Sequence, residues 1–361
     1  MDWDAYIAAG LYDPAAPSAA DRRDLIEFLV AEGCTLDEMV AAHERGRLFG
    51  LAGDRKVRPG REELTLREAA AITGTDLDLV VRLWQAYGLP IVDPDTKVAS
   101  RADVETLPLF AAIAELLGDD AALNLARVAG ASVARFAEAV SAAMRSSVRE
   151  LALDTSGSET ATAKSYAGLA ELTPQVGRML DVLLRHHLEA ARRQFEQSDS
   201  NDVALLGQIR AAVAFADVSG FTALSQVSTS AELAAMLTRF ERTATALVTE
   251  ADGRVVKFIG DAVMYVTAQP ATAVDVAQRL VGAADHPVRA GVAYGLLLAQ
   301  DGDFFGPPVN LAARLVTVAE PGQVLVDGAA RDRLPGSTAT TALPPKTLRG
   351  IADDVTPYVV G

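Results

Sequence analysis

Four short segments in the second half of this 361-residue chain carry side chains whose types and spacing could do chemistry. In Ala214-Phe215-Ala216-Asp217-Val218-Ser219-Gly220-Phe221 an acid stands where an apolar run ends. In Lys257-Phe258-Ile259-Gly260-Asp261-Ala262-Val263-Met264 a second acid follows a glycine, with a lysine upstream. Asp301-Gly302-Asp303-Phe304-Phe305-Gly306 adds loop acids, and Asn310 and Arg314 are spaced to share one face of a helix. Carboxylates suit hard divalent cations, and an arginine suits anionic groups. Taken singly, each segment has a plainer reading. Asp217 could be a turn former or a helix cap, Gly260-Asp261 an ordinary two-residue hairpin turn, Asp303 a solvated loop acid, and Asn310 with Arg314 a surface pair.

The elements that must position these residues follow from the apolar periodicity. The run from Ala211 to Val218 reads as a strand, Ser230 to Ala251 as a helix, and Arg254 to Val266 as a hairpin turning at Gly260-Asp261. A helix from Thr272 to Ala284, a strand from Val288 to Ala299, a helix from Val309 to Ala319 and a short strand from Gln323 to Val326 follow. The order β-α-β-β-α-β with an added α-β predicts a ferredoxin-like domain, one sheet backed by helices. The first half reads as helices throughout: Asp21 to Glu32, Thr35 to Arg45, Thr65 to Thr73, Asp76 to Tyr87, Arg101 to Leu117, Ala121 to Leu153 and Thr160 to Gln194. Asp154-Thr155-Ser156-Gly157-Ser158 separates the last two. The expectation is an α+β chain with an all-α domain over 1–193, a polar linker over 194–206 and the ferredoxin-like domain over 207–361.

The order and spacing of Asp217, Lys257, Asp261, Asp303, Asn310 and Arg314, and the strings Phe-Ala-Asp-Val-Ser-Gly-Phe-Thr, Lys-Phe-Ile-Gly-Asp-Ala-Val-Met and Phe-Phe-Gly-Pro-Pro-Val-Asn-Leu-Ala-Ala-Arg, resemble the class III adenylate and guanylate cyclases. The resemblance implies that Asp217 and Asp261 hold two divalent ions, Mg2+ or Mn2+, with the backbone carbonyl of Val218 as an extra ligand. It also implies that Arg314 stabilises charge at the α-phosphate and that Asn310 orients the ribose. Lys257 and Asp303 would read the base. Lysine only donates hydrogen bonds and an ionised aspartate only accepts them. Adenine offers an acceptor at N1 and a donor at its amino group, so the pair complements ATP, whereas guanine shows the reverse. In the family the site lies between two catalytic domains, and a chain carrying all six residues resembles the homodimeric type, inactive as a monomer. Diguanylate cyclases share the fold type, but their Gly-Gly-Asp/Glu-Glu-Phe hairpin is absent here.

The helical half is similar to the regulatory domain that precedes some soluble actinobacterial adenylate cyclases. That likeness implies a domain that inhibits the cyclase and releases it in acid, with a proton or a fatty acid as the regulator. His43, His186 and His187 are the histidines whose charge could change near neutral pH. Each is also readable as a structural or surface residue. Leu64 to Pro90 resembles a helix-turn-helix of the mercury-resistance regulator type. Its second helix carries Asp76, Asp78, one Arg82 and Gln85, a poor footprint for reading bases. Packing is the plainer use.

Composition narrows the rest. The net charge is −15, so no nucleic-acid partner is expected, and an ATP site must be built from local cations. Cys34 is the one cysteine, which rules out an intramolecular disulfide framework. The start lacks a secretory signal, Arg127 and Arg135 interrupt the most apolar helical region, and a cytoplasmic protein without a membrane span is expected. Lys346 and Arg349 read as a solvated basic face and stay outside the predicted site. The readings that compete with an autoregulated adenylate cyclase are a non-catalytic nucleotide-binding module and a helix-turn-helix transcription regulator.

Overall fold

The computed structural model of the chain describes residues 1–57, 63–90, 93–147, 158–197 and 207–361, and the chain divides into two compact units, Met1–Leu183 and Leu184–Gly361. In the first unit the helices are α1 (Trp3–Ala8), α2 (Ala19–Ala31), α3 (Leu36–Glu44), α4 (Leu51–Val57), α5 (Leu66–Thr73), α6 (Leu77–Ala86), α7 (Arg101–Leu117), α8 (Asp119–Ser147) and α9 (Glu159–Ala170). The next helix, α10 (Thr173–Gln197), runs through the boundary between the units. Two short strands, β1 (Leu64–Thr65) and β2 (Lys97–Ala99), pair antiparallel and frame α5 and α6, an addition to the all-helical expectation.

Local chemistry sets many of these boundaries. Reciprocal capping boxes start α3 (Thr35 with Glu38), α5 (Thr65 with Glu68) and α7 (Ser100 with Asp103), each satisfying backbone N–H groups that a helix start leaves unpaired. Leu25, Ile26, Leu29 and Met39 are fully buried in one core with Ala163 and Ala167 of α9, while Leu66, Leu83, Phe110 and Leu123 form another. Asp21 seats α9 on α2. Its carboxylate accepts from the Ser158 hydroxyl (2.6 Å) and the Glu159 N–H (2.8 Å), and its carbonyl accepts from the Thr160 hydroxyl (2.8 Å).

One predicted helix divides. The span Thr160 to Gln194 is two helices, broken at Glu171-Leu172. Pro174 has no N–H to give the carbonyl of Ala170, and its ring would clash there, so the chain must restart. α10 continues to Gln197, into the residues expected as linker, and 198–206 lie outside the described residues, as do 154–157 of the predicted break.

The second unit is built on β3 (Gln208–Val218), α11 (Phe221–Val227), α12 (Ser230–Glu250), β4 (Arg254–Ile259), β5 (Ala262–Thr267), α13 (Pro270–Ala283) and β6 (Val288–Gln300). It continues through β7 (Asp303–Phe305), α14 (Pro307–Val318), β8 (Val324–Val326), α15 (Gly328–Arg331), β9 (Thr340–Ala342) and β10 (Tyr358–Val360). The sheet order is β4-β5-β3-β6-β8-β10-β9, with β7 also pairing β6. Its first four strands are antiparallel, the ferredoxin-like order, and β8 joins parallel to β6. The periodicity predicts elements only as far as β8. The last two strands are three residues each, too short to show a period.

Alternation divides the sheet into two faces. Ala212, Ala214, Ala216 and Val218 of β3, with Val263, Tyr265 and Val292, pack against Phe240, Ala244 and Val248 of α12 and Val276, Ala277 and Leu280 of α13. Ala211, Val213 and Phe215, with Met264, Val266, Ala293 and Leu297, face α14 through Ala312 and Val316.

Asp327 is buried at the end of β8, where it caps α15 and accepts from the N–H groups of Ala330 (2.8 Å) and Tyr294 (3.3 Å). Burial pushes its carboxyl up to about 6 despite those bonds. The folded state therefore holds this proton more tightly than the unfolded chain. Its contribution to stability is greatest below the ordinary carboxylate pKa and is lost as pH rises to about 6, a difference of about 3 kcal/mol. Asp327→Asn keeps an acceptor without the charge. It should raise the melting temperature, by more at about pH 7.5 than at about pH 5; an equal shift at both, or a loss, would contradict this account.

Candidate active site

Asp217 is the penultimate residue of β3, and its register partner on β6 is Arg289. Because Asp217 alternates with Ala211, Val213 and Phe215, it projects on the face that α14 covers. There Arg289 grips it with two bonds, Nε to Oδ1 at 2.7 Å and Nη2 to Oδ2 at 3.2 Å. The remaining arm of the guanidinium donates to the carbonyls of Thr317 and Ala319 at the end of α14, both at 3.3 Å. Asp261 lies in the β4–β5 turn after Gly260, whose φ of 62° suits glycine. The Val218 N–H donates to the Asp261 carbonyl at 3.2 Å, which ties that turn to the end of β3. Burial holds the Asp261 carboxyl above the usual carboxylate range, the charge of Asp217 adds to this, and Arg289 opposes it. The two predicted acids are thus electrostatic neighbours. Arg289 is a functional candidate that the sequence reading missed, since only strand register places it opposite Asp217.

Lys257 reaches the same face through an irregularity in β4. Val255 pairs with Tyr265 but Lys257 pairs with Met264, so Val256 is an extra residue. Continued without this bulge, the register would set Lys257 opposite Val263, aimed into the core beneath α12 and α13. With it, Lys257 shares the face of Met264 and forms an ion pair with Asp303, both side chains being partly buried. Asp303 is on β7 and not in a loop, a correction to the sequence reading. β6 runs to Gln300 and turns back through Asp301-Gly302, whose φ angles of 53° and 78° are those of a tight hairpin. β7 and β4 are not neighbours in the sheet, so the hairpin arches over its face to make the contact, with Phe304 buried beneath.

Asn310 and Arg314 are both exposed on α14, one turn apart. The position of α14 depends on small residues in β6. A Cβ at Gly291 would stand 2.5 Å from the Ala312 carbonyl oxygen and the Val316 nitrogen, and one at Gly295 would stand 2.7 Å from the Pro308 ring. Arg314 Nε donates to the Arg349 carbonyl at 3.0 Å, so Arg349 touches the predicted site through its backbone, while Lys346 is bridged to Val355. Arg289 thus connects Asp217 to the end of α14. Among the described residues, no hydrogen bond or ion pair joins Lys257–Asp303 to either of the other two groups.

Elsewhere, His43, His186 and His187 are all exposed. Arg82, the basic residue of α6, is divided between Asp78 (3.9 Å) and Asp120 (3.4 Å). No described helix is long and apolar enough to cross a membrane.

Residues 6–195 match the adenylate cyclase regulatory domain family, and residues 208–360 match the adenylate and guanylate cyclase catalytic domain family. An uncharacterized protein of Mycobacterium tuberculosis is 43% identical over 358 residues, covering 97% of this chain and 92% of its own. A pH-sensitive adenylate cyclase of Mycobacterium tuberculosis is 34% identical over 369 residues, with coverage of 98% and 91%. An adenylate cyclase of Streptomyces coelicolor is 32% identical over 299 residues, with coverage of 76% and 77%.

Gly291→Ala should force α14 off the sheet, at a cost of about 1–3 kcal/mol in thermal or denaturant unfolding, and weaken hydrogen-exchange protection in α14. Gly282→Ala on α13, where a Cβ meets nothing within 4 Å, is the control and should be neutral or slightly stabilising. Equal effects of the two substitutions would remove the argument for close approach.

Proposed function

The chain belongs to the class III adenylate and guanylate cyclases, with an adenylate cyclase regulatory domain ahead of the catalytic one, and from that premise we propose that it converts ATP to 3′,5′-cyclic AMP and pyrophosphate at sites shared by two copies of the chain. The observation that carries this reading is the pairing of Lys257 with Asp303. Side by side they present one donor and one acceptor, the complement of adenine N1 and its amino group. Guanine would leave both unmatched, and leaving buried polar groups unpaired is how such a site rejects the wrong base.

Asp217 and Asp261 would hold the divalent ions. The donor set fits: two carboxylates and the Val218 carbonyl are hard oxygen ligands. Among the described residues there is no cluster of three or more His, Cys, Asp or Glu, so further ligands would come from phosphate or water oxygens. Bound there, Mg2+ or Mn2+ would activate the ribose 3′-hydroxyl and neutralise the triphosphate. Asp217 would share its carboxylate between an ion and Arg289, since each oxygen keeps a second lone pair, and that guanidinium would stand as a positive charge beside the phosphates. Asn310 would orient the ribose for in-line attack of its 3′-oxygen on the α-phosphorus. Arg314 would stabilise the charge that builds on the α-phosphate as the bond to the β-phosphate breaks.

The two-copy site is supported by the lack, among the described residues, of any hydrogen bond or ion pair between the Lys257–Asp303 pair and the acids within one chain. The helical domain is the regulator in this reading, and pH is the signal favoured by the likeness to a pH-sensitive enzyme. Asp217→Ala and Arg314→Ala should each lose activity by roughly 100-fold or more. Mixed in equal amounts, they should recover up to roughly a quarter of wild-type activity, because half of randomly paired dimers keep one intact site. If the mixture stays as inactive as its components, the shared site is wrong.

A further inference from the structure

We propose that Arg254 is a positioning residue for base selection, holding the residues on either side of Asp303 so that its carboxylate stays beside Lys257; the proposal rests on the adenylate cyclase reading above. Arg254 opens β4, and its register partner is Val266, on the face that α14 covers. Arg254 and Lys257 are three residues apart, which in a regular strand would send them to opposite faces. The bulge at Val256 brings both to one face, so the irregularity serves the two side chains together.

The contacts of Arg254 bracket the acid. Its Nη2 donates to the carbonyl of Gly302, the residue before Asp303. Its guanidinium lies over the ring of Phe304, the residue after, 5.3 Å from the centroid. Asp303 in turn accepts from the Phe304 N–H at 2.8 Å, so the carboxylate inherits its orientation from the backbone that Arg254 holds. The grip has a cost, since burial lowers the pKa of the guanidinium, and the charge of Asp303 opposes that shift. A planar cation that stacks and donates at once suits this position, and a lysine would reproduce only the donation. The hairpin needs such an anchor. β7 is only three residues long and pairs with β6 alone, yet its acid must be held across the sheet face against β4.

The test uses the full-length protein and its Arg254→Ala and Arg254→Lys variants, with thermal melts to confirm folding. Two readouts are needed: kcat and KM for ATP and for GTP with Mn2+, and equilibrium binding of fluorescent ATP and GTP analogues. Arg254→Ala should raise KM for ATP by roughly tenfold with little change in kcat, and lower the preference for ATP over GTP by a similar factor. Arg254→Lys should fall between. A folded Arg254→Ala protein that keeps the wild-type preference, or loses affinity for both nucleotides equally, would overturn the proposal, as would a wild type that binds both bases alike. A wild type that binds the adenine analogue preferentially and makes no cyclic AMP would refute the activity, while the loss of binding preference in Arg254→Ala would still support the role of Arg254.

Discussion

A side chain on a β-strand can serve only one face of its sheet, and the second unit is arranged around that choice. One face of β3 is alanine and valine, and it takes α12 and α13. The other meets α14, and Asp217 projects there with Arg289 beside it. Arg254 and Lys257 join them because one extra residue in β4 corrects the parity of the strand. α14 can lie close because Gly291 and Gly295 leave room for its backbone and for Pro308. Each device is small. Together they set Asp217, Arg254, Lys257 and Arg289 on one face of the sheet, as one copy's share of the proposed two-copy sites.

Charge explains why the gathering matters. A chain of net charge −15 repels a triphosphate at long range, so any attraction must be local. Arg254, Lys257 and Arg289 stand on this one face of the sheet, and Arg314 on the helix that packs against it. Each contacts something acidic or a carbonyl oxygen: Gly302, Asp303, Asp217 and Arg349 respectively. In the proposed mechanism the nucleotide takes over some of these partners.

Much of this was legible in the sequence, for identifiable reasons. Asp217 ends an apolar run, and Gly260-Asp261 is a hairpin turn by composition. The helix starts at Thr35 and Thr65 are written in residues three apart. The core order of strands and helices followed from periodicity. What was not legible depends on register or on long-range contact. The Val256 bulge leaves no local mark, because Arg-Val-Val-Lys reads as an ordinary strand. Arg289 is an unremarkable arginine until β6 is laid against β3. Asp303 looked like a loop acid because a three-residue strand folding back after Asp301-Gly302 has no period of its own. The break before α10 was signalled by Pro174, which a helix read from Thr160 to Gln194 passes over.

The central claim is that the residues on this face, drawn from two copies of the chain, act together on ATP. The measurement that tests it most directly is product analysis after the purified full-length protein is incubated with ATP or GTP and Mn2+ or Mg2+, from about pH 5 to about pH 8. The account predicts cyclic AMP and pyrophosphate in equal amounts from ATP, with far less cyclic GMP from GTP. The absence of cyclic AMP at every pH with either metal, or equal turnover of the two nucleotides, would contradict it.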